Sequence, residues 1–243
     1  MRAQAQRVAD ELAALATPER AQGASAFFKT GPGEYGEGDR FLGVTVPNVR
    51  RVCKGHADLG LLAHEELLDS PWHEHRLASL IVLAHQYDRQ VQRRGELYDF
   101  YLAHTARINN WDLVDVSADR VVGRHLDVVG PGILDELSAS DLLWERRIAM
   151  TATFWRIKRG EADDALRIAE RLLGDGEPLM HKAVGWMLRE VGKRVDALVL
   201  LDFLDEHAGA MSATTLSYAC EHLTPQQRTA YRAIRRAGAS NSS

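Results

Sequence analysis

The chain has 243 residues, 45% of them hydrophobic and 26% charged, an ordinary balance for a globular protein of one large domain or two small ones. With 30 basic against 34 acidic residues the formal charge is −4, so composition advertises no affinity for nucleic acid, and any basic surface has to be local. Two cysteines far apart in sequence, Cys53 and Cys220, exclude a disulfide framework and a metal-ligand spacing, and a reduced, cytoplasmic compartment is expected.

In chain order, residues 1–16 are alanine-rich but carry Arg7, Asp10 and Glu11, which break the apolar core a signal peptide needs. No apolar run anywhere approaches the roughly 18 residues of a membrane span. The glycine-rich stretch Thr30 to Gly38 is not a phosphate loop. It lacks the Gly-Lys-Ser/Thr ending, and Glu34, Glu37 and Asp39 would repel phosphate, so it reads as a flexible connection. His73, Glu74 and His75 have the wrong spacing for a metal site on one helical face, and no His-Glu-x-x-His is present, so no metal or other cofactor is expected.

From there helical periodicity dominates. Leu77, Leu80, Ile81 and Ala84 recur at i, i+3, i+4, i+7, and so do Ile148, Thr151, Ala152 and Trp155. Alternating β-branched runs are scarce, and the chain reads as all α. Shorter amphipathic helices are expected near Glu96–Ala103, Gly132–Leu137 and Asp163–Leu173. A repeat underlies the long helices. Glu74-His75-Arg76-Leu77-Ala78, Glu145-Arg146-Arg147-Ile148-Ala149 and Met180-His181-Lys182-Ala183-Val184 each set a basic residue before a small or aliphatic pair, at separations of 71 and 35 residues. The absent member falls on Trp111-Asp112. Helix pairs at about 35 residues predict a HEAT-like right-handed solenoid over residues 1–236, with a disordered tail at 237–243.

In such an array equivalent helices line one concave surface. Arg147, Lys182, Arg189 and Lys193 would make that groove basic, with Arg50, Arg51 and Lys54 added from the N-terminal side and Arg228, Arg232, Arg235 and Arg236 from the C-terminal helix. Between Arg107 and Asp115 a helix start is signalled by the capping amides Asn109 and Asn110 and by Asp112 in the first turn. Trp111 and Asp115, four apart, share a face, and an aromatic plane beside a carboxylate could hold a cation. The plainer alternative is a core tryptophan and a solvated acid. Trp186 shares a face with Lys182, and Gly185 beside it costs roughly 1 kcal/mol in a helix interior, which implies close approach by a neighbouring helix or a ligand.

Four segments together resemble the DNA alkylation repair family of HEAT-like DNA glycosylases, over roughly Ala24 to Tyr231. They are Phe41-Leu42-Gly43-Val44 with Pro47 and Arg50, Asn110 to Asp115, Leu143 to Arg147, and His181 to Glu190. The resemblance implies excision of N3- or N7-alkylated purines from duplex DNA by a monomer that is nucleoid-associated when bound, without a base-flipping pocket. It carries the essential carboxylate onto Asp115, the groove tryptophans onto Trp111 and Trp186, and the key arginine onto Arg147, with Lys182 and Arg189 on the DNA backbone. An aromatic that is a tyrosine in characterised relatives falls on Phe27 or Phe28. Two other readings stay open: a non-catalytic binder of DNA structures, and a protein-interaction scaffold.

Overall fold

The computed structural model describes residues 3–241, and among them every regular element is helical. The chain divides into two compact units, one up to Val121 and one from Val122, where the repeat pattern predicts a single domain.

In the first unit the helices are α1 (Ala3–Ala13), α2 (Pro18–Phe27), α3 (Val46–Cys53), α4 (Leu61–Leu68), α5 (His73–Arg89), α6 (Arg94–Ala103) and α7 (Trp111–Asp115). The core is built around α5. Its apolar positions run round the whole helix, and α1, α3, α4, α6 and α7 all pack on it. α1 supplies Ala5, Val8, Ala9 and Leu12 at helical spacing. By contrast α2 buries none of its residues, and Pro18 in its first turn defines its start. Between α2 and α3 the chain runs through the glycine-rich segment. This is not a slack connection: Gly31 and Gly33 donate to the carboxylates of Glu34 and Glu37 at 2.9 and 2.8 Å, and Gly36 donates to Lys29 O at 3.1 Å. Gly33 and Gly38 take positive φ, which L side chains rarely adopt. Beyond it Arg40 makes an isolated parallel bridge with Trp72.

The repeat pattern predicts a long apolar helix opening at Trp111. Instead α7 has five residues. Ser117 lies just past its end with its hydroxyl donating to Leu113 O at 2.6 Å, and a π-helical turn follows at Asp119–Gly123.

The second unit contains α8 (Arg124–Val129), α9 (Gly132–Ser138), α10 (Leu143–Ala152), α11 (Phe154–Ile157), α12 (Asp163–Leu172), α13 (Pro178–Arg194), α14 (Ala197–His207), α15 (Ala213–Ala219) and α16 (Pro225–Asn241). Consecutive helices pack in pairs, α9 on α10 and α12 on α13, with α13 also meeting α10, α14 and α15. The periodicity through Trp155 overruns a helix end. Thr153 donates from its hydroxyl to Met150 O at 2.7 Å, and Trp155 belongs to the separate turn α11. Gly185 is explained by a neighbouring helix: a Cβ there would stand 2.5 Å from Thr215 O and 2.6 Å from Tyr218 Cβ of α15. The tail expected at 237–243 is helical as far as Asn241, as the last turn of α16, and residues 242 and 243 lie outside the described residues.

Candidate functional site

In the first unit, aromatic rings gather at the start of α7. Phe28 stacks on Trp111 (centroids 5.3 Å, 22°) and on Phe41 (5.0 Å, 16°), and Phe27 meets the edges of both Phe28 and Trp111. Phe27 is 65% exposed, while Phe28 and Trp111 are half-buried. Both phenylalanines thus join Trp111 in one cluster. Asp115, half-buried, ends the same helix. Its charge reaches the buried Tyr101, whose phenol is pushed up mainly by burial and further by Asp119 and Asp115. Arg50 and Arg51 are exposed on the last turn of α3.

Beneath the rings lies a charged network. His73, the first residue of α5, is 2% exposed and donates from Nδ1 to Asp39 at 3.1 Å and from Nε2 to Asp112 at 2.8 Å. Burial alone would lower its pKa. The bonds to Asp112 and Asp39 outweigh burial and raise it to about 9, so the ring is an imidazolium. Asp39 also pairs with Arg76 and accepts from Asn110 Nδ2 at 3.3 Å. Burial opposes its charge, but the His73 bond and the Arg76 charge hold its carboxyl below the usual range. Asn110 Oδ1 accepts from the Trp111 N–H at 2.8 Å, so the cap of α7 is itself tied to Asp39. The imidazolium also lies against both phenyl rings of the stacked pair, 4.6 Å from Phe41 and 5.1 Å from Phe28. Glu74 completes the frame by accepting the backbone N–H groups of Leu42, Gly43 and Val44 at 2.9, 2.8 and 3.1 Å.

Sequence reasoning sets His73 aside on metal spacing and misses Asp39 and Asp112. The available signal is four consecutive polar residues, His73 to Arg76, opening a helix whose remaining positions are mostly apolar; all four are buried. Such a run must be satisfied internally, which points to partners elsewhere in the chain. Among the described residues no group of three or more His, Cys, Asp or Glu side chains is placed to hold a metal ion.

In the second unit the predicted residues fall on α10 and α13. Arg147, expected to line the groove as its key arginine, is only 5% exposed and donates to Leu179 O at 2.8 Å, so its guanidinium is spent on the first turn of α13. Its neighbour Arg146 binds Asp175 at 2.6 Å, and His181 meets Asp175 O at 2.6 Å, fixing the same turn. Lys182 and Lys193 are exposed on α13. Arg189 pairs with Glu221 and, at 3.0 Å, with Glu190, so carboxylates hold it where a phosphate is expected. Trp186 is half-buried beside Phe154, 6.0 Å between centroids, and Lys158 and Arg194 lie over that phenyl ring at 4.9 and 5.2 Å.

The model of the family described as DNA alkylation repair enzyme matches residues 8–223. Among solved structures the chain is similar to a predicted DNA alkylation repair enzyme from Enterococcus faecalis, with a TM-score of 0.68 over 86% of this chain and 97% of that one. At 17% identity the likeness is one of fold. No curated protein matches the chain.

Proposed function

The chain belongs to the DNA alkylation repair enzyme family, and we propose that it is a DNA glycosylase excising N3- or N7-alkylated purines from double-stranded DNA. What supports the reading is that Trp111 and Asp115 are the first and last residues of one short helix, so an indole face and a carboxylate stand at a fixed separation. An N3- or N7-alkylated purine already carries a positive charge and leaves without a general acid. The C1′–N9 bond breaks with its electron pair returning to the purine, water adds to C1′, and its proton passes to a carboxylate. Asp115 fills that role. It also stabilises the oxocarbenium-like sugar by Coulomb attraction.

Trp111 is assigned to the cationic lesion, since a cation–π contact is worth about 0.5–2 kcal/mol according to desolvation. Phe27 and Phe28 carry no hydroxyl, so their part is to back the Trp111 face. Exposed Lys182, Lys193, Arg50 and Arg51 meet backbone phosphates as point charges that give affinity without sequence preference. Arg147 acts at one remove, by holding the first turn of α13 that carries Lys182. Arg189 reaches a phosphate on exchanging Glu221 for it.

The test is release of free base from duplex containing N7-methylguanine, with wild type beside Asp115→Asn. The wild type releases base, and the variant is slower by at least about 100-fold, the scale of losing one acid/base or electrostatic group. Equal rates would remove Asp115 from the mechanism. Binding without release by the wild type would leave a DNA-structure binder.

A further inference from the structure

We propose that His73 is a positioning residue for this chemistry: bridging Asp39 and Asp112, its ring locks the first turn of α7 and thereby sets where Trp111 and Asp115 stand. The inference rests on the glycosylase reading for its rate consequences, and on geometry for the lock itself.

A five-residue helix has no stability of its own, because nucleation fixes several residues for a single hydrogen bond. Its position must come from outside. Burial of Leu113 and Val114 against α5 supplies part of it, and two ties from one carboxylate fix the first turn. Asp39 reaches α7 through Asn110, whose amide caps Trp111, and again through His73, which passes the link on to Asp112 in the first turn. The same imidazole meets Phe28 at a tilt, and Phe28 stacks on Trp111, so ring and backbone are fixed together.

The charges around His73 balance. Asp39 faces it from the loop, Asp112 from α7 and Arg76 from its own helix, while Glu74 is turned to the backbone of 42–44. Arg20 of α2 shares with His73 a cavity of about 220 Å³. Two acids against one imidazolium and one guanidinium leave a neutral cluster, the condition under which buried charge is tolerated. A single-proton or amide side chain in place of the imidazolium cannot donate to both carboxylates in opposite directions. The turns of the glycine-rich segment serve the same lock, because they deliver Asp39 to it.

His73→Ala in the full chain is expected to release N7-methylguanine about 10- to 100-fold more slowly, the cost of about 1 Å of misplacement, with KM changed less than twofold. Added imidazole is expected to restore the rate, since the cavity beside His73, walled by Phe28 and Phe41, opens onto the vacated space. Should that variant not fold, Asp112→Asn keeps the shape and removes one charge, and a loss of about tenfold is expected. A folded His73→Ala that works at the wild-type rate, or whose rate imidazole leaves unchanged, overturns the proposal. The lock is also read without activity, from the ¹⁵N spectrum of the imidazole in the wild type. Both ring nitrogens protonated at pH 7.5 support it, even if no base is released and the glycosylase reading falls; a neutral ring overturns it.

Discussion

The His73 bridge has a thermodynamic signature that pH exposes. A folded-state pKa of about 9 against an ordinary value near 6.5 means stabilisation that is complete below pH 6.5 and lost as pH climbs through 9. From those two values, moving from pH 6 to pH 8 removes about 2 kcal/mol. Two other buried histidines work in the opposite direction. Burial drives His64 and His75 down to about 4, so each destabilises the fold as pH falls below 6.5, and each returns about 1 kcal/mol between pH 6 and pH 8. The opposing contributions nearly cancel, and the wild type is expected to be almost flat over this range. His73→Gln is expected to become more stable by about 2 kcal/mol instead. These figures depend little on the folded values, which need only lie well outside the window. The buried thiols, Cys53 pushed up to about 12 and Cys220 to about 11, act only above it. Urea unfolding of both proteins at pH 6 and pH 8 measures the difference, about 1 M in midpoint for a slope near 2 kcal/mol per molar. Stabilities that change in parallel with pH would refute the charged bridge.

Glycine contacts give predictions of opposite sign. Gly185→Ala gains about 1 kcal/mol of helix propensity but drives its methyl into the α15 backbone, where overpacking costs about 1–3 kcal/mol, so Tm is expected to fall by about 2–4 °C. Gly23→Ala, in the middle of α2 with nothing within 4 Å of its Cβ, is expected to stabilise by up to about 1 kcal/mol in the same thermal scan. Asn110→Ala removes the cap of α7 and a bond to Asp39, for a loss of about 1–2 kcal/mol by urea unfolding. Glu221→Gln releases Arg189 and is expected to tighten binding to undamaged duplex a few-fold at low salt by fluorescence anisotropy; unchanged affinity would leave Arg189 as a purely internal pair.

Much of the helical layout is legible in the sequence because burial imposes a 3.6-residue period. The predicted Asp163–Leu173 and Glu96–Ala103 segments meet α12 and α6 within a residue or two. The Trp111–Asp115 helix and its asparagine cap are readable for the same local reason. Periodicity fails at Ser117 and Thr153, where the helices end although the side chains keep the pattern running; each hydroxyl there donates to a carbonyl of the preceding turn. The site is legible only in its motifs. Asp39 and Asn110 are 71 residues apart, and their bond depends on how the glycine-rich loop folds, which no local spacing encodes. Arg147 shows the reverse error: a basic residue at repeat spacing reads as solvent-facing, yet the Leu179 carbonyl takes it inward.

The short length of α7 connects these observations. A longer helix at 111 would hold itself and would need no buried ions. Interrupting it after Asp115 leaves its orientation to side chains: Leu113 and Val114 bury it against α5, and directional bonds fix its first turn. Charge-assisted bonds in a buried site meet that demand, but each ion must be fully paired or it destabilises the fold. Asp39 with three partners and His73 with two meet that requirement, while Asp112 Oδ1 and Arg76 Nε stay buried without a hydrogen-bond partner among the described residues, a cost the network carries. A rigid indole and carboxylate are what a reaction on an already charged base requires, since little remains for the protein except placing a face, a negative charge and a water.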